Sequence, residues 1–207
     1  MTRIVNNCVA LVCLCLFWGQ SLRAADASHS EQIKWGNESV FNEEHNTLGL
    51  FSGVLGGQIV LAGGTSDDYS RWGRNAVCLS ENAGFALYED VLSKPLAYGA
   101  SITLSDGILC IGGRDSSQCY EDVFFVTMQQ GKLNVSEDWP PLPFPLSNAA
   151  GALLDNKVYL FGGRKSVSPS RLSDSFFVLD LSNKSRGWKE LPGYPGCVRE
   201  DAILVVQ

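Results

Sequence analysis

Two arginines of this chain, Arg114 and Arg164, each follow a pair of glycines. A guanidinium group presents its N–H donors as a planar fork that matches a carboxylate, so either arginine could bind an acidic ligand. The alternative role is structural, because each arginine could pair with a carboxylate or a carbonyl of a neighbouring repeat. We favour the structural role for both and retain them as candidate binding residues.

Other polar side chains recur at intervals of about 50 residues, at Tyr98, at Asn148 and at Arg199 with its neighbours Glu200 and Asp201. Phenol, amide and guanidinium groups can hydrogen-bond the oxygens of a polar ligand. Each position also has a structural alternative: Tyr98 could pack with its hydroxyl bonded to main chain, and Asn148 could hold a loop. The candidate substrate-binding residues are therefore Arg199, Tyr98, Asn148, Arg114 and Arg164.

A short phrase that occurs three times organises the chain. Each copy has an apolar residue, a tight turn of polar residues or glycines, a mostly apolar run and a Gly-Gly pair, at residues 55–64, 104–113 and 154–163. A turn of the Asp-Gly or Gly-Gly type between apolar runs predicts a β-hairpin with both central residues at positive φ. A period near 50 residues is typical of kelch-type propellers, which place one blade in each repeat.

Four short strands and a late tryptophan are predicted for each blade. The predicted strands are 49–54, 58–62, 75–79 and 85–92 in the first unit, 99–104, 108–111, 123–128 and 132–135 in the second, and 149–154, 158–161 and 176–181, followed by Trp188, in the third. Residues 199–207 are predicted to be the innermost strand of a further blade. The predicted fold class is thus all-β, a partial kelch-type β-propeller of about three to three and a half blades.

The predicted units are residues 46–94, 95–144, 145–194 and 195–207. In a four-stranded up-and-down blade, the loop after strand two and the loop that leads into strand one open on the same face. We therefore expect the five candidate binding residues to meet at one mouth of the propeller, close to its central channel.

The first 27 residues are predicted to be a secretory signal peptide. Arg3 precedes the apolar run 9–18, which is too short to cross a bilayer, and small residues near position 25 suit cleavage. Residues 28–45 are predicted to be a polar lead-in. The protein is therefore expected to be exported, either periplasmic or secreted, with no membrane contact after cleavage.

Four cysteines remain after the leader: Cys78, Cys110, Cys119 and Cys197. In an oxidising compartment Cys110 and Cys119 could pair across a loop, although we favour Cys110 as a small buried apolar residue. The only histidines are at positions 29 and 45, and no Cys-x-x-Cys spacing occurs, so neither a metal nor a cofactor is expected. A net charge of −6 without a basic cluster argues against a nucleic-acid partner.

Several stretches resemble the cyclically permuted mutarotase family, whose kelch-repeat members include the N-acetylneuraminate epimerases, also called sialic acid mutarotases. The residues that carry the resemblance are 95–101, 107–113, 119–124 and 142–152. The similarity extends over roughly residues 46–207. The loop after the first Gly-Gly pair, which begins Thr65-Ser66-Asp67-Asp68, departs from the longer loop of the family.

The resemblance implies a six-bladed propeller that interconverts the anomers of N-acetylneuraminate by acid–base catalysis without a cofactor. The substrate would be a small carbohydrate with a carboxylate, which requires an arginine. Arg199 is the best candidate, since the family places an arginine near this point. The catalytic glutamate and its companion arginine belong to later blades of the family, so the catalytic residues are expected beyond Gln207.

The three to three and a half predicted blades are fewer than the six of the family, so a truncated gene product is expected. The open edges of such a partial propeller would favour self-association. The alternative function is a non-enzymatic kelch-repeat module that binds glycan or protein through its loop face, because propellers host many functions.

Overall fold

Three antiparallel sheets of four strands each form most of the computed structural model, which describes residues 48–80, 84–193 and 195–206. All of these residues belong to one unit, Ser39–Gln207. The predicted signal peptide at 1–27 and the predicted lead-in at 28–45 lie outside the described residues. Within the described ranges, no helix is long and apolar enough to span a bilayer.

The strands follow the chain in simple up-and-down order. The first sheet contains β1 (Phe51–Leu55), β2 (Gln58–Ala62), β3 (Ala76–Ser80) and β4 (Gly84–Tyr88), and the second contains β5 (Ala100–Thr103), β6 (Ile108–Ile111), β7 (Val123–Gln129) and β8 (Lys132–Ser136). The third contains β9 (Ala150–Leu154), β10 (Lys157–Phe161), β13 (Phe176–Asp180) and β14 (Lys189–Leu191). A two-stranded ribbon of β11 (Arg164–Ser166) and β12 (Arg171–Leu172) interrupts the third sheet, and a 3₁₀ helix, Leu181–Arg186, follows β13.

Two of the three predicted hairpin turns have the expected backbone. Gly56 and Gly57 lie at φ values of 56° and 79°, and Asp155 and Asn156 at 48° and 58°. Such a pair of positive φ values matches the twist of the flanking strands.

The prediction of the same two-residue turn in the second sheet is wrong. Its turn spans residues 104–107, and the backbone N–H of Leu104 donates to the carbonyl of Gly107 at 2.8 Å. Gly107 lies outside the positive-φ region, and a Cβ there would lie 2.3 Å from Cζ of Phe125. Glycine is required at this position because an aromatic ring packs against the backbone.

Neighbouring sheets pack face to face through two apolar layers. Phe51 of β1 contacts Phe124 of β7 with ring centroids 5.2 Å apart, in the layer that also contains Cys110. Leu109, the neighbour of Cys110 in β6, lies in the other layer with Phe177 of the third sheet. The second sheet is thus buried on both faces, which explains why β6 is an uninterrupted apolar run.

The innermost strands β1, β5 and β9 lie next to one another in that order. The backbone N–H groups of Ser52 and Val54 donate to the hydroxyls of Ser101 and Thr103 at 3.1 and 3.2 Å, which ties β1 to β5. Consecutive four-stranded sheets that lie flank to flank are blades of a partial β-propeller, so the predicted fold class is confirmed.

The prediction of a strand at 199–207 is wrong for the residues described. Residues 195–206 contain no strand. A strand needs a hydrogen-bonded neighbour, and Ile203 and Val205 are instead 73% and 70% exposed, without a partner strand among the described residues. This segment is nevertheless joined to the third blade by main-chain hydrogen bonds.

Candidate functional site

Each Gly-Gly pair binds the segment that leads into the next blade. The backbone N–H of the second glycine donates to a carbonyl of that segment: Gly64 to Leu96 at 2.9 Å, Gly113 to Leu146 at 2.7 Å and Gly163 to Arg199 at 2.9 Å. The first glycine of each pair has positive φ and lies against the same carbonyl. At Gly112, for example, a Cβ would lie only 2.2 Å from the carbonyl oxygen of Leu146. The pairs therefore join blades and need no catalytic role.

A second set of main-chain bonds links four residues that we name the junction residues. Gly49, Tyr98 and Asn148 each lie two positions ahead of an innermost strand, and Asp201 lies in the segment after the third blade. The N–H of Tyr98 donates to Gly49, that of Asn148 to Tyr98 and that of Asp201 to Asn148, at 2.7, 2.7 and 3.0 Å. All four have φ between 53° and 65°. The junction residues thus form a continuous chain of hydrogen bonds across one face of the propeller.

This chain of bonds corrects the predicted register of Arg199. Asp201, not Arg199, is the structural equivalent of Tyr98 and Asn148, because it makes the same main-chain bond at the same φ. Arg199 instead corresponds to Leu96 and Leu146. Its side chain is exposed, and its Nε donates to the carbonyl of Cys197 at 3.4 Å.

Arg164 forms an ion pair with Glu200, which lies in the segment that follows the third blade. Its Nε and Nη2 donate to the two carboxylate oxygens of Glu200 at 2.8 and 2.6 Å. Both side chains are about a quarter exposed, at 26% and 24%. The hydrogen bonds from Arg164 lower the pKa of Glu200, and those to Glu200 raise the pKa of Arg164.

Arg114 lies among three aromatic rings. Its guanidinium carbon lies 4.6 Å from the ring centroid of Tyr98, 5.0 Å from that of Trp72 and 6.0 Å from that of Tyr69. Its Nη1 donates to the carbonyl of Asp115 at 3.3 Å, while Nε is buried without a hydrogen-bond partner among the described residues. Arg114 forms none of the ion pairs found in that part of the chain.

Tyr98 connects the rings with the junction residues. Its hydroxyl donates to that of Tyr69 at 3.4 Å. Burial, with a smaller contribution from Tyr69, raises the pKa of Tyr98 above its usual value, so the phenol stays protonated well above neutral pH. The carboxylate of Asp201 adds to this rise, and Nδ2 of Asn148 donates to that carboxylate at 2.9 Å.

Two compact loops hold these groups. Asp68 accepts from the hydroxyl of Ser66 and from the hydroxyl and N–H of Ser70, and these bonds lower its pKa to about 2. The loop that it closes carries Tyr69 and Trp72, and the indole N–H of Trp72 donates to the carbonyl of Tyr69 at 3.1 Å.

Asp115 plays the same part in the loop beside Arg114. Burial raises its pKa, but bonds from the Tyr120 hydroxyl, from Ser117 and from the N–H of Gln118 outweigh that effect and bring the pKa to about 2. Because its carboxylate accepts all of these bonds, Asp115 fixes its loop and leaves the Arg114 guanidinium unpaired with it.

The structure thus brings Tyr98, Asn148, Arg114 and Arg164 to one face and places Asp201 beside them. We name the following set the loop-face cluster: Tyr69, Trp72, Tyr98, Arg114, Asn148 and Asp201. Tyr69 and Trp72 were not predicted as site residues, although two aromatic residues in a loop on the predicted face were a usable signal. The cluster offers a guanidinium without a carboxylate partner, aromatic rings and an amide, which suit a polar, carboxylated ligand, and the Asp201 carboxylate can accept from ligand hydroxyls.

Two clefts lie between neighbouring sheets and away from this cluster. One, between the first and second sheets, is lined by Leu92, Lys94 and Trp139 among others. The other, between the second and third, is lined by Asp106, Trp139 and Lys184 among others. We assign the site to the loop face because the convergent donors and acceptors lie there.

Comparisons with known proteins agree with this architecture. The family described as Kelch motif matches residues 145–192. The N-acetylneuraminate epimerase of Yersinia pestis (strain Pestoides F) is 32% identical over 71 residues, which are 34% of this chain and 16% of that protein. The N-acetylneuraminate epimerase of Vibrio cholerae serotype O1 is 31% identical over 87 residues, which are 42% of this chain and 21% of that protein.

A solved structure, that of YjhT, shares the fold with a TM-score of 0.61 at 11% sequence identity. The superposition covers 75% of this chain and 58% of YjhT. The matches to the curated relatives span only 16% to 21% of their length. Within those limits, repeats, blades and comparisons agree: the chain is a partial β-propeller with a kelch motif, and part of it is similar to N-acetylneuraminate epimerases.

Proposed function

We propose that this protein acts on N-acetylneuraminate as a mutarotase or epimerase-like protein, binding the sugar at its loop face. The observation that carries the proposal is the loop-face cluster, which has the chemistry of an acidic-sugar site in a chain partly similar to N-acetylneuraminate epimerases. An unpaired guanidinium suits the carboxylate of the sugar, and the amide and phenol suit its hydroxyls.

Mutarotation opens and recloses the hemiketal ring of the sugar. One group must take the proton of the anomeric hydroxyl while another protonates the ring oxygen. The proposal gives the described residues the tasks of binding and orienting the sugar and assigns none of them the acid–base role.

A proton-NMR anomerisation assay tests the proposal. The protein is added to N-acetylneuraminate enriched in one anomer, and the approach to equilibrium is compared with that in buffer at the same pH. Saturation-transfer spectra of the same samples report binding separately. Faster equilibration supports the proposal, whereas the absence of both binding and acceleration overturns it.

A second candidate is a non-enzymatic module that binds a glycan through the same face. It is favoured by the state of the two nearby carboxylates: Glu200 accepts from Arg164, and Asp201 accepts from Asn148. The hydrogen bonds from Arg164 lower the pKa of Glu200, which makes its carboxylate a poorer base. Binding of the sugar without acceleration would support this candidate.

Export is part of the proposal and is supported by the leader-like residues 1–27. Sequencing the amino terminus of the protein recovered from its native host tests it. Cleavage near residue 27 supports export, whereas an intact leader in a cytoplasmic fraction contradicts it.

A further inference from the structure

We infer that Arg114 is the arginine that binds the carboxylate of an acidic sugar at the loop face, rather than Arg199 or Arg164. The inference rests on the proposed function for the kind of ligand, and on the environments of three arginines for the residue. A bidentate arginine–carboxylate pair needs a guanidinium whose N–H edge is not already engaged by another carboxylate.

Arg164 does not meet that requirement. Its Nε and Nη2, the two donors of one edge of the fork, already bind the two oxygens of Glu200. A ligand carboxylate would have to displace Glu200 and leave that side chain partly buried beside a second negative charge.

Arg199 is poorly placed because of the register of its segment. Its backbone carbonyl binds Gly163, and the position that faces the neighbouring junction residue belongs to Asp201. Asn148 donates to the Asp201 side chain, whereas the Arg199 side chain is exposed and bonds back to Cys197.

Arg114 meets the requirement, because the one hydrogen bond of its side chain among the described residues goes to the carbonyl of Asp115. Its buried Nε has no partner in the described part of the chain. The positive charge of Arg114 contributes to the lowered pKa of Glu200, but the Glu200 carboxylate is hydrogen-bonded to Arg164. Stacking against Tyr98 and Trp72 restricts the guanidinium, so less side-chain entropy is lost when an anion binds.

The rings around Arg114 add a second selection. Tyr98 and Trp72 lie with their centroids 6.4 Å apart and inclined at 60°, so their faces form an angled wall rather than a stack. Because Arg114 lies over both rings, an apolar face of a sugar would pack against the neighbouring Tyr69 ring, which is 51% exposed, while the carboxylate of the sugar reaches Arg114. The site would therefore distinguish an acidic sugar from a neutral one by charge, and a sugar from a simple carboxylic acid by contact with the rings.

The test compares N-acetylneuraminate with its methyl ester, which keeps the sugar ring but has no negative charge and one additional methyl group. Dissociation constants for both ligands are measured by saturation-transfer titration on the wild-type chain, on Arg114→Gln and Arg114→Lys, and on Arg186→Gln. Arg186 is an exposed arginine at the end of the 3₁₀ helix, and its removal makes the same change in net charge.

Wild-type protein and Arg186→Gln should bind the acid about tenfold or more tightly than the ester, as expected for a charge-assisted pair. Arg114→Gln should bind the two ligands equally, and Arg114→Lys should keep part of the preference. The readout is the ratio of two dissociation constants, for the acid and for the ester, measured on the same preparation of each variant. An unfolded fraction lowers the binding of both ligands alike, so it does not imitate a loss of acid preference. An acid preference that survives in Arg114→Gln overturns the inference.

The anomerisation rate, measured in the same samples, separates this inference from the proposed function. Loss of acid preference in Arg114→Gln without any acceleration by the wild-type chain would support the inference and contradict the mutarotase proposal. Acceleration by the wild-type chain with an unchanged acid preference in Arg114→Gln would support the mutarotase proposal and contradict the inference.

Discussion

Arg164 and Glu200, separated by 36 residues in sequence, are joined by two parallel hydrogen bonds from one edge of the guanidinium to both carboxylate oxygens. The pair lies beside the bond between Gly163 and Arg199, so it fastens the segment after the third blade to the Gly-Gly turn of that blade.

We expect Glu200→Gln to lower the free energy of unfolding at neutral pH by about 1 kcal/mol, a value reduced for the partial exposure of the pair. The folded-state pKa of Glu200 is lowered, so its contribution is present above about pH 4.3 and is lost as the pH falls through that lowered pKa. Urea unfolding at neutral and acidic pH measures it, with the exposed Glu190→Gln as control. A difference between wild type and Glu200→Gln that persists unchanged in acid would contradict the assignment.

Gly112→Ala should be far more destabilising than Gly131→Ala, although both glycines have positive φ, at 63° and 74°. A Cβ at Gly131 would meet nothing within 4 Å, so only the backbone preference is lost, at about 1 kcal/mol. At Gly112 the Cβ would lie 2.2 Å from the carbonyl oxygen of Leu146 and would push the second blade away from the segment that leads into the third. This displacement should lower the free energy of unfolding by roughly 2 kcal/mol more. Chemical denaturation of the two variants measures the difference, and equal losses would refute the close contact.

Asp68→Ala should loosen the loop that carries Tyr69 and Trp72 and weaken sugar binding, with little effect on global unfolding. The pKa of Asp68 is lowered to about 2 by its bonds to Ser66 and Ser70, so the ionised form holds the loop above about pH 3.9. This support is lost as the pH falls towards 2. The fluorescence difference between wild type and Trp72→Phe isolates the signal of Trp72. The pH dependence of this Trp72 signal should disappear when the same difference is measured between Asp68→Ala and the double variant Asp68→Ala/Trp72→Phe. An unchanged pH dependence in that pair would reject the role of Asp68.

Alkylation should distinguish Cys197 from the other three cysteines of the described residues. Cys197 is exposed, whereas Cys78, Cys110 and Cys119 are buried free thiols. Burial raises the pKa of Cys110 and of Cys78, which suppresses the reactive thiolate. Peptide mass spectrometry after brief iodoacetamide treatment should find Cys197 modified first and the others only after denaturant is added. Early modification of Cys110 would show that the layer between the first two blades opens readily.

The repeating hairpins could be predicted from sequence because their signals are local. Gly56-Gly57 and Asp155-Asn156 are residues that accept positive φ, and apolar runs flank them. The turn at 104–107 could not be distinguished in the same way, since Gly107 is required by the Phe125 ring, a contact made across the sheet. Cys110 was correctly predicted as a buried apolar residue, because it lies inside an apolar strand.

The candidate site was less predictable because it depends on contacts between units. Tyr98 and Asn148 are 50 residues apart, and the same interval after Asn148 ends at Val198, close to Arg199. The junction residue is instead Asp201, so the interval from Asn148 to the next junction is three residues longer than that from Tyr98 to Asn148. Arg199 therefore does not occupy the junction position. The stacking of Arg114 on Tyr69 and Trp72 joins two blades, and no local pattern encodes it.

The chain of main-chain bonds through Gly49, Tyr98, Asn148 and Asp201 separates two tasks at Tyr98, Asn148 and Asp201, whereas a Cβ at Gly49 would lie only 2.8 Å from Cγ of Tyr98. The backbone carries the connection from unit to unit, and the side chain is left to whatever lies above the channel. A change of amino acid there, within the types that tolerate positive φ, alters the lining without altering the scaffold. Substitutions at such positions would therefore change which ligand the loop face binds while the blades stay intact.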